Sequence, residues 1–231
     1  MIDWHSHILP ALDDGSKSVD ESQRMLTALK EQGIACVIAT PHFHANRESV
    51  DKFLQRRQES YERLMQIDQG SLPQVFCGAE VRYYPGIAKM EGLERLAIDG
   101  GGILLLEMPM DKWTEYTVRE LCELASTRGL TVVLAHIERY LNLQSGGVVE
   151  RLCANGLLMQ SNASFFNDFI TRHKAFRLLM SGNIHFIGSD CHNMKERAPQ
   201  IGRAYELIEK KLGSEYVSQM REYGYKMLKH K

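Results

Sequence analysis

The sequence predicts an α/β fold built around a parallel sheet. Short apolar runs of strand length alternate along the chain with longer stretches of helical periodicity. No Pro/Ser-rich linker, low-complexity tract or internal repeat interrupts the 231 residues, and α/β barrels of this length form single domains. We therefore expect one domain over residues 1–231, with helices on the sheet and the sheet either open or closed into a barrel.

Seven apolar runs have the length and composition of buried strands. Because each is followed by a connecting segment, they predict seven strand–helix units and a parallel sheet. The predicted strands are Met1–Trp4, Ile34–Thr40, Gln74–Val81, Gly102–Met108, Leu130–His136, Gly156–Gln160 and Ile184–Ser189.

Several connecting segments carry the punctuation of helices. Ser18 and Glu21 have the spacing of a capping box, an apolar stripe follows them, and Gly33 stands where that helix should end. The other predicted helices are Val50–Ile67, Thr114–Thr127, Ala198–Leu212 and Glu215–Leu228.

Composition excludes several classes of protein. The net charge is −1 and no basic stripe is present, which argues against a nucleic-acid partner. No apolar run reaches the roughly 18 residues of a membrane span, so we expect no direct membrane insertion. The first ten residues resemble no secretory signal, and the five cysteines are scattered. These features predict a cytoplasmic domain of enzyme size with reduced thiols.

Polar side chains follow six of the seven predicted strands. In a barrel they would share the carboxyl-terminal rim, where barrel active sites are assembled, and an open sheet would bring them to a similar edge. They are His5, His7, Asp13 and Asp14; His42 and His44; Glu80 and Arg82; Glu107; His136, Glu138 and Arg139; and Asp190, His192 and Arg197.

Imidazoles and carboxylates in this number predict a metal site. They suit zinc, manganese or iron, and the absence of converging thiolates argues against a structural zinc knot. His5 and His7 share one face of an extended strand, and Asp190 and His192 repeat that spacing. The candidate ligands are too many for one tetrahedral ion, so we expect several ions. Such a cluster holds phosphoryl oxygens and activates a bridging water, which leaves phosphate binding to Arg139 and Arg197.

Motifs along the chain resemble those of the polymerase-and-histidinol-phosphatase (PHP) superfamily. Within it, the chain is similar to the bacterial manganese-dependent tyrosine phosphatases of capsular and exopolysaccharide loci. The similarity runs from residue 1 to about residue 228. The motifs are Met-Ile-Asp-x-His-Ser-His-Ile-Leu-Pro followed by Asp-Asp-Gly, then Ala-Thr-Pro-His, Gly-x-Glu-Val-Arg, Ala-His-x-Glu-Arg and Gly-Ser-Asp-x-His.

This resemblance implies a distorted (βα)7 TIM-like barrel of the PHP type with three divalent metal ions. Manganese is the expected metal, with iron, zinc, cobalt or magnesium as alternatives. It also implies that Arg139 and Arg197 bind phosphate and that the substrate is a phosphorylated bacterial tyrosine kinase. The implied ligands are His5, His7, Glu80 and Asp190 for one ion, Glu80, Glu107 and His136 for a second, and Asp14, His42 and His192 for the third.

Two features depart from the family pattern. Ile137 replaces a proline that usually follows the histidine, which puts the loop around Arg139 in question. The sequence also ends at Lys231 without the basic tail of some members. The sequence leaves the oligomeric state open.

Some residues keep two interpretations. Asp13 and Asp14 compete for one ligand position, and only the resemblance prefers Asp14. Glu138 is either a ligand or a support for Arg139, and Arg82 is a candidate ion-pair partner of Glu80. A second set has no assigned chemistry: His44, near the site; His173, His185 and His230; Arg56 and Arg57, taken as a solvated helix face; and Tyr83, Tyr84, Phe165 and Phe166, either lining the mouth or packed.

Alternative functions stay open. A phosphatase of a small metabolite, of the histidinol-phosphatase type, would use the same cluster. An amidohydrolase-like metal hydrolase also opens with His-x-His, but normally has a lysine where this chain has Glu107. A scaffold that binds phosphotyrosine without cleaving it is a non-catalytic alternative. Cys122 and Cys191 each begin a Cys-x5-Arg match, yet neither segment has the glycine that a phosphate-binding loop uses.

Overall fold

The computed structural model describes residues 1–67, 70, 72–99 and 102–229. Its strands are all parallel and occupy seven positions around a curled sheet. Two of the seven positions are each occupied by two short strands, and at the second position the later piece, His42–Phe43, lies beyond the predicted strand Ile34–Thr40. The strands are β1 (Ile2–Ser6), β2 (Cys36–Ala39), β3 (His42–Phe43), β4 (Gln74–Cys77), β5 (Glu80–Arg82), β6 (Ile103–Glu107), β7 (Thr131–Leu134), β8 (Leu158–Asn162) and β9 (Phe186–Gly188).

A proline lies at the break in one of the two divided positions. Pro41 has no N–H to donate, so the ladder breaks between β2 and β3. Backbone bonds from Gly78 to Ala39 (2.8 Å) and from Glu80 to Pro41 (3.0 Å) nevertheless hold the two divided strands together. The three-stranded sheet β1-β2-β4 therefore continues into the six-stranded sheet β3-β5-β6-β7-β8-β9.

The first and last strands meet at their carboxyl ends. The backbone nitrogen of Asp190 donates to the oxygen of His5 (2.7 Å), and that of His7 donates to the oxygen of Cys191 (2.9 Å). These bonds complete a seven-position ring at the rim. The predicted (βα)7 TIM-like barrel is confirmed, and its divided strands are the distortion.

Helices cover the outside of the sheet. The third crossover differs from the predicted strand–helix unit, because it contains two short 3-10 helices, Ile87–Lys89 and Leu93–Leu96. Three of the α-helices, α4 to α6, lie in segments where no helix was predicted. The α-helices are α1 (Val19–Glu31), α2 (Val50–Met65), α3 (Glu115–Thr127), α4 (Val148–Ala154), α5 (Ala163–Asn167), α6 (Arg172–Met180), α7 (Gly202–Leu212) and α8 (Ser214–Lys229).

Half of the predicted capping box forms at the start of α1. The Ser18 hydroxyl accepts the backbone N–H of Glu21 at 3.2 Å, as the spacing requires. The Glu21 carboxylate accepts the N–H of Lys17 instead of that of Ser18. One more backbone donor is satisfied in either arrangement, so the helix start is stabilised as predicted.

Two apolar clusters face opposite sides of the sheet. Val37 and Leu104 belong to the larger cluster, which also contains residues of the surrounding helices, whereas Ile38 and Leu105 belong to a smaller one inside the ring. Helix α8 contributes Leu228 to the inner cluster. The lower part of the barrel is thus filled by side chains, which leaves only the rim for polar chemistry.

A bulge in β1 aims its histidines into the barrel. Asp3 pairs with Val37 and Ser6 with Ala39, so β1 has one more residue than β2 over the same distance. Trp4 below the bulge and His5 above it can therefore both face inward, which regular alternation would forbid. Bulges commonly re-aim side chains beside active sites.

Within the described ranges, we find no helix with both the length and the apolar character needed to cross a membrane. His230 lies outside those ranges.

Candidate metal centre

Two candidate ligands stand in a backbone conformation that is uncommon for side-chain-bearing residues. His136, just after β7, has φ +34°, and Asp190, just after β9, has φ +53°. Both lie in the left-handed region, which costs free energy for any residue other than glycine and is concentrated at functional sites. Both residues are almost fully buried. The backbone is thus held in strain where the two side chains turn into the rim.

Four atoms form the closest group in the site. Nε2 of His5 lies 3.2 Å from Nε2 of His7, and each of these nitrogens lies 3.4 Å from Oε2 of Glu80 and 3.6 Å from Oδ1 of Asp190. Ligand atoms about 2.1 Å from one ion at the corners of a tetrahedron are about 3.4 Å apart. The five observed distances are close to that figure, so these donor atoms are near enough to share one ion.

Glu80 extends the group to a second set of donors. Its Oε1 lies 2.7 Å from Nε2 of His136, which in turn is 3.9 Å from Oε1 of Glu107. Its Oε2 lies 2.9 Å from Nδ1 of His42. The donor atoms of His42, Glu80 and Glu107 all lie within 4.8 Å of one another. Glu80 therefore sits between two groups of donors, as a carboxylate shared by two ions would.

A third set lies at the solvent side of the rim. Oδ1 of Asp14 is 3.3 Å from Nε2 of His42 and 3.6 Å from Nε2 of His192. Together with His7, these residues form another group with donor atoms within 4.8 Å. The Asp14 side chain is 63% exposed, so this part of the site is open to solvent. All nine predicted ligands are brought together at the rim.

The structure separates the two aspartates that the sequence leaves in competition. Asp13 is nearly buried, and its Oδ2 lies 2.7 Å from Nδ1 of His7 and accepts the N–H of His42. Asp14 faces His42 and His192 instead. Asp13 thus orients two candidate ligands from outside the donor group, while Asp14 can contact an ion directly.

Gln160 is a buried residue of β8 that the sequence analysis overlooked. Its Oε1 lies 3.2 Å from Nδ1 of His5 and 2.7 Å from the backbone nitrogen of His136. Its amide nitrogen donates to Asn162, and Asn162 donates to Asp190. Only its place after a strand-forming run hinted at this role, because its contacts are distant in sequence.

Electrostatics also fit a cation centre. Burial opposes charge on Glu80, but the charge of His5 and the hydrogen bond from His136 hold its pKa well below the usual range. Against the same opposing burial, Asp13 and Glu80 raise the pKa of His7 to about 10. The carboxylates therefore stay ionised despite burial, and their negative charge, which raises the pKa of His7, would also stabilise a bound cation.

Two buried imidazole nitrogens have no hydrogen bond within the described structure: Nδ1 of His42 and Nε2 of His192. The first lies near Glu80 without hydrogen-bond geometry. Buried polar atoms are rarely left without a partner, and both nitrogens face neighbouring candidate ligands. The residues therefore fit divalent metal ions.

Both predicted phosphate-binding arginines reach this centre. Nη2 of Arg139 lies 2.5 Å from Oδ2 of Asp190, and Nη2 of Arg197 lies 2.7 Å from Oδ1. Their side chains remain 37% and 40% exposed. Each guanidinium has five N–H donors, so further donors are free to bind an oxyanion at the mouth. Ile137 does not prevent Arg139 from reaching the site.

Other interpretations of polar residues need correction or are now resolved. Arg82 lies 3.5 Å from Glu107 rather than pairing with Glu80. Glu138 accepts the backbone N–H of Asn162, and burial raises its pKa to about 7. The Arg56 and Arg57 pair is not simply a solvated helix face: Arg56 is 41% exposed but donates to Glu48 and to the Leu12 carbonyl, and Arg57 donates to the Gly78 carbonyl.

Of the two aromatic pairs that could line the mouth of the site, only one borders a cavity there. Tyr83 and Tyr84 line a cavity beside the site, together with His44. Phe165 and Phe166 are buried in the outer core, so they do not line the mouth.

Neither Cys-x5-Arg match forms a phosphate-binding loop. Cys122 lies inside α3. Cys191 is fully buried, and burial raises the pKa of its thiol well above the usual value. A thiol nucleophile requires a lowered pKa, so the geometry opposes cysteine chemistry.

Fold and site together define a class: a parallel α/β barrel whose rim gathers histidines and carboxylates into a candidate metal centre. The chain belongs to the capsular polysaccharide synthesis family CpsB/CapC, whose sequence profile matches residues 1–228. This confirms the resemblance drawn from the motifs.

Relatives of known name cover nearly the whole chain. Tyrosine-protein phosphatase YwqE of Bacillus subtilis strain 168 is 32% identical over 224 residues, which is 93% of this chain and 86% of the relative. Tyrosine-protein phosphatase CpsB of Streptococcus pneumoniae is 29% identical over 236 residues, covering 95% and 94%.

A solved structure is similar over the full length. It was solved in work on the crystal structures of YwqE from Bacillus subtilis and CpsB from Streptococcus pneumoniae, which are described there as metal-dependent tyrosine phosphatases. The TM-score is 0.85 at 27% identity, with 100% of this chain and 95% of the other covered.

Proposed function

We propose that this protein is a metal-dependent phosphomonoesterase that hydrolyses phosphotyrosine in proteins, with a phosphorylated bacterial tyrosine kinase as its substrate. The observation that carries the proposal is the close group of donor atoms from His5, His7, Glu80 and Asp190, with two partly exposed arginines on the Asp190 carboxylate. The names of the family relatives support the choice of phosphotyrosine.

We assign the donors to three divalent ions, with manganese as the expected metal. Iron, zinc, cobalt and magnesium remain alternatives, because geometry and availability decide which ion binds. The proposed ligands are His5, His7, Glu80 and Asp190 for the first ion, Glu80, Glu107 and His136 for the second, and Asp14, His42 and His192 for the third.

The chemistry divides between the ions and the protein. When bound, the ions would lower the pKa of a shared water and so supply a nucleophile near neutral pH. Arg139 and Arg197 bind the non-bridging oxygens of the phosphate and orient the phosphorus above the donor group. Their charge also stabilises the additional negative charge of the transition state.

The protein around the donors keeps them in place. Asp13 holds His7, and Gln160 holds His5, so these imidazoles present Nε2 to the centre. Such outer contacts fix the tautomer and orientation of metal-binding histidines. The phenolate of tyrosine has a pKa near 10, so it is a better leaving group than an alkoxide.

We also propose a cytoplasmic location, because the scattered, mostly buried cysteines are free thiols, as is usual in a reducing compartment. A kinase phosphorylated on its cytoplasmic side would then be accessible.

Phosphate release by manganese-loaded protein tests the proposal. A phosphotyrosine peptide and histidinol phosphate are compared at equal concentration, with and without a chelator. We expect chelator-sensitive release with a higher kcat/KM for the peptide. A higher kcat/KM for histidinol phosphate would instead indicate a small-molecule phosphatase with the same centre. Failure to hydrolyse either would contradict the phosphatase assignment.

A further inference from the structure

A polar cavity lined by four basic and four acidic side chains opens directly beside the candidate metal centre. Its volume is about 640 Å³, and Asp14, His42 and Glu107 belong to both the cavity wall and the donor set. A ligand bound at the centre would therefore extend into this cavity. Its other lining residues are Leu12, Asp13, His44, Arg47, Glu48, Lys52, Arg56 and Arg82.

The negative charges of the cavity are already engaged. Asp13 contacts His7 at 2.7 Å, and Glu48 contacts Arg56 at 2.6 Å. Asp14 and Glu107 face the donor group, where bound cations would neutralise them. An anion that enters the cavity would therefore meet little repulsion from these carboxylates.

The positive charges are less engaged. Arg47 and Lys52 are exposed, and no carboxylate of the described residues forms an ion pair with either. Arg82 is 54% exposed and lies 3.5 Å from Glu107, a long contact. With the carboxylates neutralised, the cavity carries surplus positive charge next to the place where phosphate would bind.

A second cavity continues the first away from the centre. The two share His44 and Arg82, and the second is lined in addition by Ala45, Asn46, Tyr83 and Tyr84. Its volume is about 400 Å³. Because they share two lining residues, the two cavities lie next to each other beside the loop between β3 and α2, and we describe them together as one groove. An extended peptide advances about 3.3 Å per residue, so such a groove accommodates several residues next to the phosphorylated one.

We propose that this groove binds acidic side chains near the phosphotyrosine of the substrate, and that Arg47 and Lys52 provide the selectivity. The inference rests on the proposed phosphatase function, since it requires phosphotyrosine at the centre. A carboxylate or a second phosphate would satisfy the same cations. Because these contacts lie away from the reacting phosphorus, they should lower KM more than they raise kcat.

Steady-state kinetics of manganese-loaded protein test the proposal. The substrates are a phosphotyrosine peptide with aspartates on both sides, the same peptide with asparagines, one with a second phosphotyrosine, and para-nitrophenyl phosphate. The proteins are the natural sequence, Arg47→Gln, Lys52→Gln and the double variant. Lys30→Gln, in the last turn of α1 and outside the groove, is the matched control.

We expect the double variant to raise KM for the aspartate peptide by about three- to tenfold, as two exposed ion pairs would. KM for the asparagine peptide and for para-nitrophenyl phosphate should change less than twofold, as should all values for Lys30→Gln. Added salt should reduce the preference for aspartate. The doubly phosphorylated peptide shows whether a phosphate replaces the carboxylates.

Equal KM for the aspartate and asparagine peptides, or a preference that survives in the double variant, would overturn the inference. In either case hydrolysis of para-nitrophenyl phosphate would show that the phosphatase assignment still holds. If no substrate is hydrolysed, the proposed function fails separately. Fluorescence anisotropy of labelled aspartate and asparagine peptides then tests the groove alone, and equal binding of the two would contradict it.

Discussion

Oδ2 of Asp13 lies 2.7 Å from Nδ1 of His7, and the same oxygen accepts the backbone N–H of His42 at 3.0 Å. One nearly buried carboxylate therefore positions two candidate ligands that come from different strands. Its negative charge also makes the His7 imidazole more basic and so a stronger metal ligand. Asp13 is next to Asp14 in sequence, yet its role is to orient ligands rather than to bind an ion.

Replacing Asp13 with asparagine should weaken the centre without unfolding the protein. The amide can still accept a hydrogen bond from His7, but it carries no charge. We expect manganese affinity or turnover to fall by about tenfold or more. Metal titration and phosphate release measure the effect. Asp111→Asn, which removes an exposed carboxylate elsewhere, serves as the control. Unchanged affinity and turnover in Asp13→Asn would refute the role of this contact.

Gly188→Ala should disturb the centre through packing. An added Cβ would lie 2.6 Å from Cβ of His5 and 2.8 Å from Nε2 of Gln160. Overpacking of this kind costs about 1–3 kcal/mol of folding free energy, and here it would displace a candidate ligand. The urea concentration at the midpoint of unfolding and the metal content should both decrease.

The matched control for this substitution is Gly146→Ala, because nothing lies within 4 Å of a Cβ at that position. It should keep the natural metal content. A stable, fully metal-loaded Gly188→Ala protein would show that the close approach to His5 is unimportant.

Arg139→Ala and Arg197→Ala should each lower kcat while metal content is retained. Removing one donor to transition-state charge typically costs about 100-fold or more. Both side chains contact Asp190 but are not proposed to bind the ions. Turnover and metal analysis of the same samples separate these effects, with Arg24→Ala on α1 as the control. Normal kcat in both variants would exclude the proposed phosphate contacts.

The sequence predicted the order of strands and most of the rim. Apolar runs fixed the strands because buried parallel strands are nearly continuous in hydrophobicity. The division at Pro41 could have been expected from the missing N–H, but the bulge in β1 could not, since it depends on register with β2. The third crossover lacked a clear helical stripe, and its 3-10 helices are too short to show one.

The candidate site shows the same limit. A parallel barrel brings the carboxyl ends of all its strands to one rim, so the histidines and carboxylates at those ends could be predicted to meet. Gln160 was missed because a buried glutamine after apolar residues has no distinctive spacing, and its partners come from two other strands. The choice between Asp13 and Asp14 required knowing which carboxylate turns toward His7. Contacts between distant segments decide these details.

Alkaline pH should destabilise the protein through Cys77. Burial raises the pKa of this thiol from 9.0 to about 12. The folded state then keeps a proton that the unfolded state loses, so stability is full below pH 9 and falls as pH rises toward 12. The slope from one such group is at most about 1.4 kcal/mol per pH unit.

Urea unfolding between pH 7.5 and 10.5 measures this dependence. Cys77→Ala should be less stable at pH 7.5 because it loses buried volume, but its stability should decrease less steeply above pH 9. Cys122→Ala, at a partly exposed site, should keep most of the natural slope. An identical slope in Cys77→Ala and the natural protein would contradict the assignment to this thiol.

The most direct measurement is the joint titration of bound manganese and phosphate release from a phosphotyrosine peptide, starting from chelator-treated protein. We expect turnover to rise with bound metal in the natural protein and in Cys191→Ser, and both quantities to be lost together in the double variant His5→Ala with Asp190→Asn. Full turnover of the metal-free protein, or loss of turnover in Cys191→Ser with its metal content unchanged, would contradict a metal centre as the source of the activity.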